Sequence, residues 1–373
     1  MAKVGILTMQ RIMNYGSFLQ AYGLKMILEE LGHDVEFVDY RKGQPLLTER
    51  RKFLNISTNV KKVMSIFFYQ ARLLHKIHYI LYKKKFKKKY FSLLGIQNEM
   101  NFTPQLDILI IGSDEVFNCI QKNSNVGYSL ELFGKNNRAK KLISYAASFG
   151  NTTLKKLQFY GKDSEIGNLL NAFNAISVRD SNSGYIVKTL TGINPEFNLD
   201  PVLAYEYLNK CKLIPNIKVK EKYLILYAYA GRISSQEANW ILQYARKKGL
   251  KIYTIGGIHK YADKFIDCTP FEVLAYFKNA ESVITDTFHG TIFSVITKKK
   301  FATIIRKSVG NSYGNEEKIT DLLKRIGLND RLTMNVQSIE AILDKNINYI
   351  NVDNFLEEER IHSRKYLKEH TMI

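Results

Sequence analysis

Proline is scarce, six in 373 residues, and cysteine scarcer still, with Cys119, Cys211 and Cys268 far apart along the chain. The first shortage excludes collagen-like and proline-rich linker architectures. The second leaves no spacing for a disulfide framework or a zinc ribbon, and suits a reducing compartment. No apolar run approaches the ~20 residues that a spanning helix needs. The opening residues, Met1 to Thr8, read as a short buried strand without the zones of an export signal. A cytoplasmic protein is expected. Acidic residues are also short, 35 against 55 Lys and Arg, for a net charge of +20. That deficit is local, because Arg50 to Phe91 holds 13 Lys and Arg and no Asp or Glu.

What remains is globular, 45% hydrophobic and 12% aromatic, at a length that predicts two domains. Strand and helix patterns alternate. Lys3 to Thr8, Ser17 to Leu31 and Val35 to Tyr40 form a βαβ unit, with the helix stopped by Gly32. Further strands are expected at Leu106 to Ile111, Lys141 to Ala146 and Ala175 to Val178. After a linker-like stretch from Lys210 to Glu221, strands recur at Tyr223 to Tyr229, Lys251 to Ile255, Val283 to Asp286 and Phe301 to Arg306. The expected architecture is α/β: two doubly wound, Rossmann-like domains, 1–208 and 209–350, facing a cleft, then a helix at 351–373 that can cross back to the first.

The basic segment interrupts the first domain at 50–91. Val63, Phe67, Leu74, Ile77 and Leu81 fall on one helical stripe, and the run Lys83, Lys84, Lys85, Lys87, Lys88 and Lys89 closes it. A solvated helix with a core-facing stripe and a docking surface for anionic lipid both fit, and near an anionic bilayer each Lys contributes about 1 kcal/mol. Nucleic acid is not expected, since no helix-turn-helix, zinc-finger or RNP signature accompanies the charge.

Open α/β sheets bind ligands at the carboxyl ends of their strands, so four post-strand motifs matter. Asn14-Tyr15-Gly16-Ser17 opens a helix with Ser17 as its expected cap, which suits an anion or a sugar hydroxyl, or is an ordinary capped turn. Gly112-Ser113-Asp114 ends a buried strand, where Asp114 can deprotonate an acceptor hydroxyl or can cap a helix. Arg179 follows Ile176-Ser-Val, and a guanidinium at a buried strand tip wants an anion: a ligand, or its neighbour Asp180, which points to the opposite face. Thr285-Asp286-Thr287-Phe288-His289-Gly290 places an imidazole at a helix start among short polar groups, a site for phosphate or a structural histidine.

Taken in order, Asn14 to Ser17 with Leu19-Gln-Ala-Tyr-Gly-Leu24, Gly112 to Asp114 with Phe117-Asn118, Ser144-Tyr-Ala-Ala-Ser-Phe-Gly150, Ile176 to Arg179, Leu199-Asp-Pro-Val202, and Thr285 to Gly290 with Phe293-Ser294 resemble the polysaccharide pyruvyl transferases. The resemblance runs from the first strand to about residue 330. Phe117 stands where Trp or Phe is common, and the chain departs modestly in Thr287, where the family often has Ser.

The resemblance implies a GT-B-like fold and transfer of the enolpyruvyl unit of phosphoenolpyruvate to two hydroxyls of one sugar in a polysaccharide precursor, releasing phosphate. It implies that Arg179 and His289 hold the donor. His289 is expected to be the general acid and Asp114 the base, with Gly290, Asp286 and Thr287 completing the donor site. Asn14, Tyr15, Gly16, Ser17, Gly112, Ser113 and Asn118 are expected on the acceptor. No cofactor or metal is expected, phosphoenolpyruvate being the donor substrate. A polyprenyl-diphosphate-linked oligosaccharide as acceptor would place the enzyme at the inner face of the plasma membrane, with the lysine run against anionic lipid. Two other readings stay open: a GT-B glycosyltransferase, with Gly256-Gly257 starting a nucleotide pocket, and a non-enzymatic basic membrane-binding module.

Overall fold

The computed structural model describes residues 1–44, 46, 73–121, 126–307 and 314–372. The chain divides into two compact units: Met1–Arg50 with Phe91–Tyr207 and Asp353–Ile373, and Arg51–Tyr90 with Leu208–Val352. The first unit holds a parallel sheet of β1 (Lys3–Leu7), β2 (Asp34–Phe37), β3 (Ile108–Ile111) and β4 (Lys141–Ser144) in the order β2-β1-β3-β4. β3 reads Ile-Leu-Ile-Ile and is buried throughout, the continuous apolar run expected of a parallel strand covered on both faces. Two short strands, β5 (Ser177–Val178) and β6 (Glu196–Phe197), pair beside it, and isolated bridges from Ala175 and Val178 tie the β5 region to Ile143 and Ala147.

The second unit holds β7 (Tyr223–Tyr227), β8 (Lys251–Thr254), β9 (Lys264–Phe265), β10 (Ser282–Thr285), β11 (Lys300–Ile304) and β12 (Leu332–Thr333), all parallel, in the order β12-β11-β10-β7-β8-β9. In each sheet the strand order reverses once, between β1 and β3 and between β7 and β10. Loops that leave two adjacent strands in opposite directions open a crevice there, which is where such folds bind ligands.

The final helix, Tyr349–Thr371, begins in the second unit, where the Tyr349 hydroxyl donates to the Lys299 carbonyl at 2.6 Å. From Asp353 on it packs into the first unit. The Tyr366 hydroxyl donates to the Ser144 carbonyl at 2.8 Å, Arg360 Nε donates to the Leu203 carbonyl at 2.8 Å, and Ser363 Oγ accepts from the Leu199 amide at 3.0 Å.

The basic insert differs from its expected form. Val63 and Phe67 lie outside the described residues. The helix Leu73–Lys85 buries His75 and Tyr82, and the wider turn Phe86–Tyr90 that continues it buries Phe86 and Tyr90, with Phe265 of β9 edge-on to Tyr79 at 5.7 Å and to Tyr82 at 6.2 Å. Lys85 Nζ pairs with Asp267 at 2.5 Å. The insert therefore groups with the second unit, although in chain order it interrupts the first. Leu74, Ile77 and Leu81, the expected core-facing stripe, instead face solvent at 68%, 44% and 44% exposure. Large aromatic surfaces at the same helical spacing gain more by burial, so they take the packed side. Lys83 lies over the rings of Tyr79 and Tyr82, and though it keeps some solvent contact, desolvation lowers its pKa to about 8. Lys84, Lys87, Lys88 and Lys89 are exposed. Among the described residues no helix is long and apolar enough to cross a membrane.

Candidate functional site

In the first unit the reversal of strand order brings the loops after β1 and β3 together. Asn14, extended at φ −144° and ψ 157°, caps the helix Tyr15–Glu30 through its side-chain oxygen, which accepts from the Ser17 amide at 2.7 Å. Asn14 thus takes the capping role expected of Ser17. The Ser17 hydroxyl, released from it, donates to Asp114 Oδ2 at 2.9 Å. Tyr15 and Gly16 are buried.

After β3 the backbone is tightly constrained. Gly112 sits at φ +121°, and a Cβ there would stand 2.3 Å from the Tyr145 carbonyl oxygen, so only glycine fits. Asp114 holds φ +72°, a costly conformation for a side-chain-bearing residue and one that clusters at functional sites. Ser113 is fully buried; its carbonyl accepts from the Thr8 hydroxyl at 2.8 Å and its own hydroxyl contacts Asp200 at 3.3 Å. Asn118 is also buried and committed within the chain, donating to Glu115 Oε2 at 2.8 Å and to Asn151 Oδ1 at 3.0 Å.

Arg179 emerges from β5 into this group. Its Nη1 meets Asp200 Oδ2 at 2.6 Å and its Nη2 approaches Asp114 Oδ1 at 3.4 Å, with the two closer side chains, Arg179 and Asp200, only 2% and 1% exposed. Burial works against the guanidinium's charge, but Asp200, Asp114 and Asp180 together hold its pKa above the ordinary arginine value. Within the chain, the close partner is therefore Asp200 and not the sequence neighbour Asp180. Asp180 does point away: it caps the helix Ser181–Thr191 and accepts from the Ser148 hydroxyl at 2.5 Å. Desolvation raises its pKa.

In the second unit the loops after β7 and β10 meet. Thr287 caps the helix Phe288–Ile296, its hydroxyl accepting from the Gly290 amide at 2.9 Å. The Thr285 hydroxyl donates to the Tyr227 carbonyl at 2.7 Å. Gly290 is required by packing, because a Cβ would stand 2.1 Å from Thr285 Oγ1 and 2.8 Å from Tyr227 Cδ1. His289 is half-buried at the helix start, its ring 5.5 Å from that of Phe288 and 6.2 Å from that of Phe293. Asp286 has no solvent exposure; its carboxylate accepts from the Tyr229 amide at 3.4 Å and lies 3.7 Å from Arg232 Nη1. Burial pushes its pKa up, against the opposing pull of Arg232 and Arg306.

Several of these residues carried no sequence signal. Arg306 Nη1 donates to Glu237 at 2.5 Å and its Nη2 to the Arg232 carbonyl at 3.2 Å, while Asn315 Nδ2 donates to the Asp286 carbonyl at 2.6 Å. Asp200 could have been found in Leu199-Asp-Pro-Val202, as the one acid of that motif. Gly257 lies so close to the post-β7 loop that a Cβ would stand 2.1 Å from the Ala228 carbonyl oxygen, so packing accounts for this glycine. Among the described residues no three His, Cys, Asp or Glu side chains gather as a metal site.

No curated protein matches the chain in sequence. Among solved structures, the UDP-GlcNAc 2-epimerase from Methanocaldococcus jannaschii superposes with a TM-score of 0.51 at 12% identity, covering 96% of this chain and 98% of that one. The glycosyltransferase SnogD from Streptomyces nogalater gives 0.41 at 10%, covering 98% and 95%. A mutant O-GlcNAc transferase from Thermobaculum terrenum gives 0.43 at 10%, covering 99% of this chain and 65% of that one. The fold is GT-B-like. The sequence profile of polysaccharide pyruvyl transferase matches residues 14–308, from the cap of the first helix to just past Arg306. With that match over most of its length, the chain belongs to the polysaccharide pyruvyl transferase family.

Proposed function

We propose that the protein transfers the enolpyruvyl unit of phosphoenolpyruvate to two hydroxyls of one sugar in a polysaccharide precursor, forming a cyclic pyruvate ketal and releasing phosphate. The observation that carries this reading is the linked set Ser17, Asp114, Arg179 and Asp200 at the strand reversal of the first unit, a carboxylate and a fixed cation where the fold binds ligands.

Each step has a candidate group. His289 protonates the methylene carbon of the donor, which becomes a methyl group and leaves an oxocarbenium-like centre at C2. Arg179 holds the donor carboxylate. Its loose 3.4 Å contact to Asp114 is the one a donor displaces, while the 2.6 Å bond to Asp200 keeps the guanidinium in place. One acceptor hydroxyl attacks C2 and gives its proton to Asp114. The C2–O bond to phosphate then breaks, the second hydroxyl attacks, and its proton leaves with the phosphate. Asn14 to Ser17 and Gly112-Ser113 are the acceptor side of this scheme, and Thr287, Gly290 and Asp286 support the donor side.

A lipid-linked acceptor fits the insert. Its outward face runs from Leu73, Leu74, Ile77 and Leu81 into Lys84, Lys87, Lys88 and Lys89, apolar groups for the acyl boundary and cations for anionic headgroups. That arrangement supports a peripheral location at the inner face of the membrane and a polyprenyl-diphosphate oligosaccharide as acceptor.

The test is a reaction of the full-length protein with phosphoenolpyruvate and lipid-linked or free oligosaccharides. A product equal in mass to acceptor plus pyruvate minus water, formed with inorganic phosphate, is expected. Consumption of a nucleotide sugar with phosphoenolpyruvate untouched would overturn the proposal in favour of glycosyl transfer.

A further inference from the structure

We infer that Arg232, in the loop after β7, is a phosphate-binding residue of the second unit, aimed by Asp286 from behind. The inference extends the reading that this unit receives a phosphate-bearing substrate, and it concerns a residue outside the family-defining motifs described above.

Four observations converge on Arg232. It follows β7 at the β7–β10 strand reversal, where His289 lies in the first turn of the helix after β10. Its side chain is 29% exposed, whereas the carboxylate behind it, Asp286, is fully covered. Their separation of 3.7 Å is an attraction without a close fork, so Asp286 biases the direction of the guanidinium without enclosing it. The ring of Tyr229 lies beneath the guanidinium at 4.7 Å, a flat support that restricts its rotamers.

The loop itself is anchored from three sides. Arg306, itself held by Glu237, donates to the Arg232 carbonyl at 3.2 Å. Gly257 abuts the Ala228 carbonyl, and the buried His259 ring lies 3.2 Å from the same oxygen. Such bracing is more than an exposed arginine needs for solubility. A buried carboxylate whose pKa is raised by desolvation is costly, and holding a cation for an incoming anion is a use that offsets the cost. The ligand chemistry is a phosphate group, from the donor or from the diphosphate of a lipid-linked acceptor.

The experiment is calorimetric titration of the full-length wild type, Arg232→Gln and Arg232→Lys with phosphoenolpyruvate and, separately, with inorganic pyrophosphate, alongside thermal melting. Arg232→Gln should bind at least one anion about tenfold to a hundredfold more weakly, the loss expected for a charge-assisted contact. Arg232→Lys keeps a cation facing Asp286 but loses the fork, and should recover part of the affinity with an unchanged melting temperature. Dependence on Arg232 for pyrophosphate, with no phosphoenolpyruvate binding by the wild type, would leave this inference standing while ending the donor reading. Equal affinities in wild type and both variants, or no binding of either anion by the wild type, would overturn it.

Discussion

Arg179 Nη1 and Asp200 Oδ2 lie 2.6 Å apart with both side chains almost wholly covered, a guanidinium and a carboxylate from positions 21 residues apart. The pair fixes the position of Arg179 before any substrate arrives. Removing one partner strands the other's charge, so Asp200→Ala should cost about 3–5 kcal/mol in urea denaturation. A loss below about 1 kcal/mol, the range of a surface pair, would show that Arg179 finds another anion.

Arg179→Lys keeps the charge but cannot serve Asp200 and Asp114 together. Phosphate release from phosphoenolpyruvate with acceptor should fall by about two orders of magnitude or more, as for loss of an aligned electrostatic donor. Wild-type turnover by this variant would remove Arg179 from the mechanism.

His289 is half-buried between two rings and is the acid of the proposed protonation. His289→Gln should abolish solvent-deuterium incorporation into the methyl group of the product, with the melting temperature nearly unchanged. Normal deuterium uptake would assign the acid elsewhere.

Gly290→Ala tests the packing behind that histidine. The new Cβ would sit 2.1 Å from Thr285 Oγ1, and the neighbouring Tyr227 ring offers no room to retreat. Overpacking of this kind costs about 1–3 kcal/mol, and donor affinity should fall with it; a variant of wild-type stability would contradict the packing.

The raised pKa of Asp286 has a defined sign in stability. Its folded state holds a proton more tightly than the unfolded chain, whose carboxyl titrates near 3.8. The favourable contribution is complete below that value and is lost as pH rises through the higher folded pKa. Asp286→Asn cannot ionise, so its stability relative to wild type should climb as pH rises above about 4, with a limiting slope of about 1.4 kcal/mol per pH unit, until the folded-state carboxyl has ionised. A flat difference across that range would mean that Arg232 and Arg306 cancel the burial cost.

Much of this arrangement could be read in advance. The Ile-Leu-Ile-Ile run of β3 and the strand-to-helix turn at Thr285 to His289 announce themselves through burial pattern and turn chemistry. Arg179 did so by its expense at a strand tip, but its partner did not, since Asp200 reaches it through a fold contact that no local spacing encodes. Asn14 and Ser17 are both good capping residues, and only the position of Asp114 decides which one caps. In the insert, aliphatic and aromatic stripes share the helical period, so choosing the inward one requires knowing that Phe265 waits beside it. Arg232 and Asn315 sit on loops, where periodicity is silent, and Arg306, read as the last residue of a strand, lies just past the end of β11 at Ile304.

The closing helix has a bearing on biogenesis. Ser363 and Arg360 grip the backbone at Leu199 and Leu203, the two flanks of the turn that presents Asp200. During synthesis the first sheet can assemble early, yet that turn lacks its outer brace until residues 360–371 clear the ribosome. The charged nest around Arg179 is thus completed by residues made 157 and 164 positions after the backbone they hold, and a nascent chain halted before them would carry its guanidinium in an unfinished socket.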